Sequence, residues 1–217
     1  MITEFKQIEG LFEDISKELQ TKVHCFVLGG AMLLYHGMKT VTKDIDLVVE
    51  KRAEFSAMEI ILKEMGFKAR IPDLQYKNLN LSQIYVRDDF RIDLFHRTIC
   101  KGFSISPGMI QRSLQVLAFE NLTVSLCSKE DVFMLKTLTE REGDLDDCIS
   151  LASAGINWDS ILQELKDQMQ SSGNKIWITF VGERLDLLQE RGLDIPIMNE
   201  VDQLRLQYYE ELEKKLG

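Results

Sequence analysis

The sequence has few of the residues that build metal clusters or disulfide frameworks. Its 217 residues include three histidines and four cysteines, and no histidine stands at zinc-finger spacing. The cysteines form no C-x-x-C pair and lie far apart, at Cys25, Cys100, Cys127 and Cys148. This distribution disfavours a zinc cluster and a disulfide scaffold, so we expect four small buried side chains.

Long apolar runs are also missing. No stretch of about 18 apolar residues occurs, and the opening MITEFKQIEG has no apolar signal core. We therefore expect a cytoplasmic protein with no membrane-spanning segment. Basic residues (26) are fewer than acidic ones (35), and the net charge of −9 disfavours non-specific binding to DNA or to an anionic membrane.

Two common phosphate-binding signatures are absent. The chain has no G-x-x-x-x-G-K-[ST], which disfavours a P-loop ATPase, and Gly29-Gly30 lacks the G-x-G-x-x-G spacing of a dinucleotide site. A glycosyltransferase with a D-x-D motif needs a long nucleotide-binding half before the acids, and 43 residues precede Asp44. We discount that class.

The hydrophobic pattern predicts two regions. Residues 1–127 alternate strands and helices and then form hairpins, which predicts a mixed α/β sheet. We expect helices at 4–21, directly after Gly29-Gly30, and at 52–67, strands at 23–28 and 44–50, and hairpins at 81–97 and 114–127. Residues 128–217 predict a helical region, opened by a capping box at Ser128 to Asp131, with helices near 129–141, 144–154, 158–170, 174–191 and 197–215.

Two aspartates interrupt the strand at 44–50. Side chains alternate along a strand, so Asp44 and Asp46 share one face while Ile45 and Leu47 share the other. Asp93 is a third acid among apolar neighbours, in the second arm of the 81–97 hairpin. If that arm pairs beside the first strand, three carboxylates converge, and such a group suits Mg²⁺ and phosphoryl transfer with two metal ions.

Spacing alone leaves a structural explanation open. Asp44 then stands at the mouth of the strand, Asp46 caps or pairs with a lysine, and Asp93 faces solvent. Gly29-Gly30 favours the functional interpretation, because glycines at a strand-to-helix turn let backbone amides approach a phosphate. Lys43 either neutralises a phosphate or pairs with an acid, and both roles remain open.

The order of these motifs resembles a known superfamily. VLGGAMLLYHG followed by TKDIDL, with Asp93 on a later strand, resembles the nucleotidyltransferase superfamily of the DNA polymerase β type. More narrowly, it resembles the small prokaryotic nucleotidyltransferases related to AbiEii abortive-infection toxins. SKEDVFMLKTLTEREGDLDDC, at 128–148, fits their helical segment.

The resemblance implies roles for particular residues. Gly29 and Gly30 would bind the phosphates of a nucleoside triphosphate (NTP). The three aspartates would hold Mg²⁺, and Asp93 would also help to deprotonate the acceptor hydroxyl. Lys136 and Asp144 would serve phosphate contact and the architecture of the site. The acids of REGDLDD (141–147) are otherwise expected to be a solvated helix start rather than a second metal site.

The sequence therefore predicts a Mg²⁺-dependent transfer of a nucleoside monophosphate to a hydroxyl or phosphate acceptor. The acceptor, whether tRNA, protein or small molecule, is not identified by any motif. A toxin with an antitoxin protein as partner is one form of this hypothesis. The alternative is a weak or inactive nucleotide-binding or protein-interaction module on the same scaffold.

Overall fold

The structure is a computed structural model, and it describes residues 1–71, 81, 83–141 and 143–216. It divides into two compact units, Met1–Ser128 and Lys129–Gly217. Within the described residues, no helix is long and apolar enough to cross a membrane. The four cysteines are buried, as the sequence predicts.

The first unit contains a mixed sheet. In chain order its main elements are α1 (Phe5–Glu18), β1 (Val23–Leu28), α2 (Gly29–Tyr35), β2 (Ile45–Val49), α3 (Arg52–Glu64), β3 (Lys68–Arg70), β4 (Gln83–Arg87), β5 (Phe90–His96), α4 (Pro107–Arg112), β6 (Leu114–Ala118) and β7 (Leu122–Leu126). Across the described ranges the sheet has seven strands, in the order β3-β4-β5-β2-β1-β7-β6.

The central strands of this sheet run in both directions. β1 is antiparallel to β2 and parallel to β7, while β2 is parallel to β5. The outer pairs β3/β4, β4/β5 and β6/β7 are antiparallel. The predicted mixed sheet and both predicted hairpins are confirmed. The first hairpin turns at Asp88 and Asp89, and its expected start includes Ser82, which lies outside the described residues.

The apolar periodicity of α1 explains how it covers the sheet. Glu4 and Gln7 form a reciprocal capping box at its start, and the buried stripe of Ile8, Leu11, Phe12 and Ile15 recurs at helical spacing. α1 contacts β7, α2 and α3, and α3 contacts β1 and β2. The core of this unit therefore lies between these helices and the central strands.

The second unit is helical. It contains α5 (Lys129–Thr137), α6 (Gly143–Ser153), α7 (Trp158–Ser172), α8 (Trp177–Glu190) and α9 (Met198–Leu216). α5 contacts α6, α7 and α8, and α8 contacts α9. Trp177 is 1% exposed, and Trp158 packs edge-on against Phe133 with the ring centroids 5.2 Å apart. The predicted helical region is confirmed, although α5 ends four residues before its expected end.

Candidate active site

The turn from β1 into α2 contains two glycines that approach other parts of the chain closely. Gly29 has φ +64°, a left-handed conformation that is costly for other residues. A Cβ at Gly29 would collide with Asp46 Oδ2, and a Cβ at Gly30 would collide with Thr42 Oγ1. The turn therefore lies against the carboxylate of Asp46 on one side and the hydroxyl of Thr42 on the other.

Asp46 and Asp93 are neighbours on adjacent strands. The sheet register pairs Asp46 of β2 with Asp93 of β5 and with Leu28 of β1. Paired residues of neighbouring strands project from the same face, and the strands lie about 4.8 Å apart. Asp46 is half-buried and Asp93 is 3% exposed. Two carboxylates this close repel each other unless a cation or a proton intervenes.

Arg91 supplies one such cation. Its Nε donates to Asp93 Oδ1 and its Nη2 donates to Asp93 Oδ2, each at 2.7 Å. The two residues lie two apart on β5, so they share a face of the sheet, and the planar guanidinium matches the carboxylate with two parallel hydrogen bonds. Arg91 thus neutralises Asp93 at the position where the sequence predicts a metal ligand.

Asp44 lies just before β2 rather than inside it, so the expected strand at 44–50 begins one residue later. Asp44 is half-buried, and its backbone carbonyl accepts a hydrogen bond from Thr42 Oγ1 at 3.1 Å. Lys43 is exposed beside it. Val48 is fully buried, so the face that carries the acids is open only near the start of β2.

The donor set has the chemistry that Mg²⁺ requires. Mg²⁺ in proteins commonly binds one or two carboxylates together with substrate phosphates, and Asp46 and Asp93 form such a pair beside the glycine turn. However, the described part of the chain holds no group of three or more Asp, Glu, His or Cys side chains arranged around one ion position. The pair therefore fits a cation shared with a phosphate better than a cage of three carboxylates.

Lys136 and Asp144 form a buried ion pair in the second unit. Lys136 Nζ lies 2.7 Å from Asp144 Oδ1 and 2.6 Å from Asp147 Oδ2. Asp144 Oδ2 also accepts hydrogen bonds from Thr139 Oγ1 and, at 2.9 Å, from Arg141 Nε. Lys136, Asp144 and Asp147 are each less than 10% exposed. The expectation that the acids of 141–147 are solvated is therefore wrong for Asp144 and Asp147, because a buried lysine draws both inward.

This contact sets the protonation states of the pair. Burial alone would lower the pKa of Lys136, but the charges and hydrogen bonds of Asp144 and Asp147 outweigh it and raise that pKa above its usual value. Burial likewise favours a higher pKa for Asp144, yet the charges of Lys136 and Arg141 hold it below its usual value. Both groups are therefore charged at neutral pH.

Sequence reasoning missed Arg91 and Thr42. The signal for Arg91 was present, because R-x-D on a strand places both side chains on one face. Thr42 had no local signal. It is 4% exposed, since it pairs with Ile2, forty residues earlier in the chain.

This chain is similar to known proteins in its structure. No protein-family model matches it, and no curated protein matches its sequence. Solved structures do match. One is the crystal structure of ANT(2")-Ia in complex with adenylyl-2"-tobramycin, with a TM-score of 0.50 and 10% sequence identity; the match covers 76% of this chain and 99% of that chain.

At this identity the likeness concerns the fold. ANT(2")-Ia is an aminoglycoside nucleotidyltransferase, and the matched part of this chain is similar to it in fold. The chain therefore has a nucleotidyltransferase-like fold.

Proposed function

We propose that this protein is a nucleotidyltransferase that moves a nucleoside monophosphate from an NTP to a hydroxyl or phosphate acceptor. The observation that supports this most is the pairing of Asp46 with Asp93 on adjacent strands, against the Gly29 turn. The fold match supports the same class, because the neighbour holds an adenylylated aminoglycoside. The match leaves the acceptor open, and tRNA, a protein or a small molecule would each supply a suitable group.

The proposed reaction is an in-line displacement at the α-phosphorus. The acceptor oxygen forms the new P–O bond, the bond to the β-phosphate breaks, and pyrophosphate leaves with that electron pair. Asp93 takes the proton of an acceptor hydroxyl. Gly29 and Gly30 present their backbone to the phosphates, with Lys43 as a further candidate for phosphate contact. Catalysis of this kind depends on positioning and on charge neutralisation.

Asp46 and Asp93 would hold Mg²⁺ together with the phosphates of the NTP, and Asp44 would join them in the form of the hypothesis that uses two ions. When bound, Mg²⁺ would supply positive charge that neutralises the triphosphate and the leaving pyrophosphate. Within the chain itself, Asp46 places its carboxylate against Gly29, and Arg91 orients the carboxylate of Asp93 through two hydrogen bonds.

The test is an incubation of the purified protein with each α-³²P-labelled NTP, Mg²⁺ and a total cell extract. Transfer of label to a macromolecule or small molecule, with release of unlabelled pyrophosphate, would support the proposal and identify the acceptor class. Nucleotide binding by calorimetry without any transfer in any extract fraction would refute an enzymatic role.

A second candidate function is a nucleotide-binding or protein-interaction module with weak or no catalysis. The bidentate contact of Arg91 with Asp93 favours it, because both oxygens of a proposed metal ligand are already hydrogen-bonded. Calorimetry together with the labelling experiment separates the two. A module of this kind binds NTP without transferring label to any fraction of the extract, whereas the enzyme binds NTP and transfers the label.

We further propose a cytoplasmic toxin of the AbiEii-related type, neutralised by an antitoxin protein. The sequence motifs from Gly29 to Asp46 support this narrower assignment. Induced expression should then arrest bacterial growth, and Asp46→Asn should abolish the arrest at equal protein level. Growth arrest by both forms would show that toxicity does not come from nucleotidyl transfer.

A further inference from the structure

Thr42 lies between the two parts of the candidate active site. Its backbone N–H donates to Ile2 O at 2.9 Å, and Ile2 N–H donates to Thr42 O at 3.0 Å. This reciprocal antiparallel pair fixes the segment that leads into β2. Ile2 is 1% exposed and Thr42 is 4% exposed, so the pair is part of the core of the first unit rather than a surface contact.

The side chain of Thr42 reaches two functional elements from this fixed backbone. Its hydroxyl donates to the backbone carbonyl of Asp44 at 3.1 Å. The same hydroxyl lies against the α-carbon of Gly30, where a Cβ would collide with it. One buried hydroxyl thus connects the glycine turn with the residue that leads into the acid-bearing strand.

We propose that Thr42 is a positioning residue of the active site, which holds Asp44 at a fixed distance from the glycine turn through its hydroxyl. This inference rests on the proposed nucleotidyl transfer. Thr42 contacts no reacting atom itself. Its backbone sets the segment through Ile2, and its hydroxyl sets the conformation of the Asp44 main chain.

The energetics separate positioning from folding. The backbone pair with Ile2 does not use the side chain of Thr42, so valine and serine both keep it, and valine keeps the branched shape that fills the site. What Thr42→Val removes is the hydrogen bond to Asp44 O. A displacement of about 1 Å in a catalytic group can slow a reaction about 100-fold. A small shift of Asp44 after loss of this hydrogen bond therefore has a large effect on turnover.

The test compares Thr42→Val, Thr42→Ser and the control Thr98→Val by two methods. Thr98 lies beyond the far end of β5, where its hydroxyl is 3.5 Å from that of Ser104. Amide hydrogen exchange at residues 42–46 should become about threefold to tenfold faster in Thr42→Val, the factor that one intramolecular hydrogen bond supplies. The number of NTPs turned over per second should fall about tenfold to 100-fold, with KM for NTP within about threefold.

Thr42→Ser keeps the hydroxyl, so its amide exchange and its turnover should both stay close to the wild-type values. Thr98→Val should leave both at the wild-type values. Unchanged exchange at 42–46 in Thr42→Val overturns the inference. So does faster exchange with wild-type turnover, because the hydroxyl would then be structural only. A wild-type protein that turns over no NTP refutes the proposed function instead, and the exchange data still decide whether Thr42 holds the segment.

Discussion

At the scale of single residues, the two glycines of the turn are explained by contacts inside the chain. Gly29 is required by its positive φ and by the carboxylate of Asp46, and Gly30 is required by the hydroxyl of Thr42. The sequence suggested that these glycines admit a phosphate. The structure adds that they also admit Asp46 and Thr42, so each glycine has a structural role whether or not a nucleotide binds.

Gly29→Ala should therefore destabilise the first unit strongly. A left-handed backbone and an overlap with Asp46 together predict a loss of about 2–4 kcal/mol in the free energy of unfolding. Gly10→Ala is the matched control, because Gly10 lies on an exposed face of α1 with nothing near its α-carbon. It should stabilise the protein by about 0.5–1 kcal/mol. Urea unfolding measures both, and equal stabilities for the two variants would contradict this account of the turn.

Residue patterns predicted part of the site from the sequence. Strand alternation correctly indicated that an acid on β2 and an acid on β5 could meet, since Asp46 and Asp93 occupy paired positions. It did not indicate that Arg91, two residues away on the same strand, donates hydrogen bonds to both carboxylate oxygens of Asp93. The pairing of Thr42 with Ile2 is non-local, so no window of sequence reveals it.

At the scale of helices and strands, the Lys136 contact joins α5 to α6. Removing Asp144 leaves a buried lysine with half of its carboxylate partners, so Asp144→Asn should cost about 3 kcal/mol of stability. Asp146 is the control on the same helix turn. Its side chain is 74% exposed and pairs with Arg191 at the surface, so Asp146→Asn should change stability by less than about 0.5 kcal/mol.

The fluorescence of tryptophan reports this unit alone, because Trp158 and Trp177 both lie within it. A denaturant midpoint for Asp144→Asn equal to that of Asp146→Asn would show that the buried pair adds nothing to the stability of the helices.

The same pair predicts a pH dependence. The pKa of Asp144 is lowered on folding, so its stabilisation is present above its usual value of 3.8 and is lost as pH falls below that. The pKa of Lys136 is raised on folding, so its stabilisation is present below its usual value of 10.5 and is lost as pH rises further. The stability difference between wild type and Asp144→Asn should be constant from about pH 5 to 9 and shrink below about pH 4. A difference that grows on acidification would contradict the assigned charges.

Most elements followed from periodicity and turn residues, and the exceptions have physical causes. β3 has three exposed residues, and α4 has six residues capped by Ser106 and begun by a proline, so neither carries enough apolar repeat to be recognised. α1 and α3 end earlier than expected. The apolar pattern extends each predicted helix too far, because Leu19 and Phe67 are buried although they follow the last helical turn.

At the scale of the whole molecule, the fold class was predictable because both regions have strong patterns. The alternation of predicted strands and helices indicated the mixed sheet, and the uninterrupted helical periods indicated the helices of the second unit. The strand order was not predictable from composition, since the parallel pairs β1/β7 and β2/β5 join segments far apart in the chain. That order is what brings Asp93 beside Asp46.

We expect Asp46 to be required for Mg²⁺-dependent NTP turnover and the fold to be independent of its charge. Asp14→Asn is the control, because Asp14 is an exposed acid on α1. The most direct measurement is the Mg²⁺-dependent transfer of label from each α-³²P-labelled NTP to the acceptor in a total cell extract by wild type, Asp46→Asn and Asp14→Asn, three proteins checked to have the same thermal midpoint. We expect turnover by wild type and Asp14→Asn and a loss of more than about 100-fold in Asp46→Asn. Turnover by Asp46→Asn at the wild-type rate would contradict this expectation.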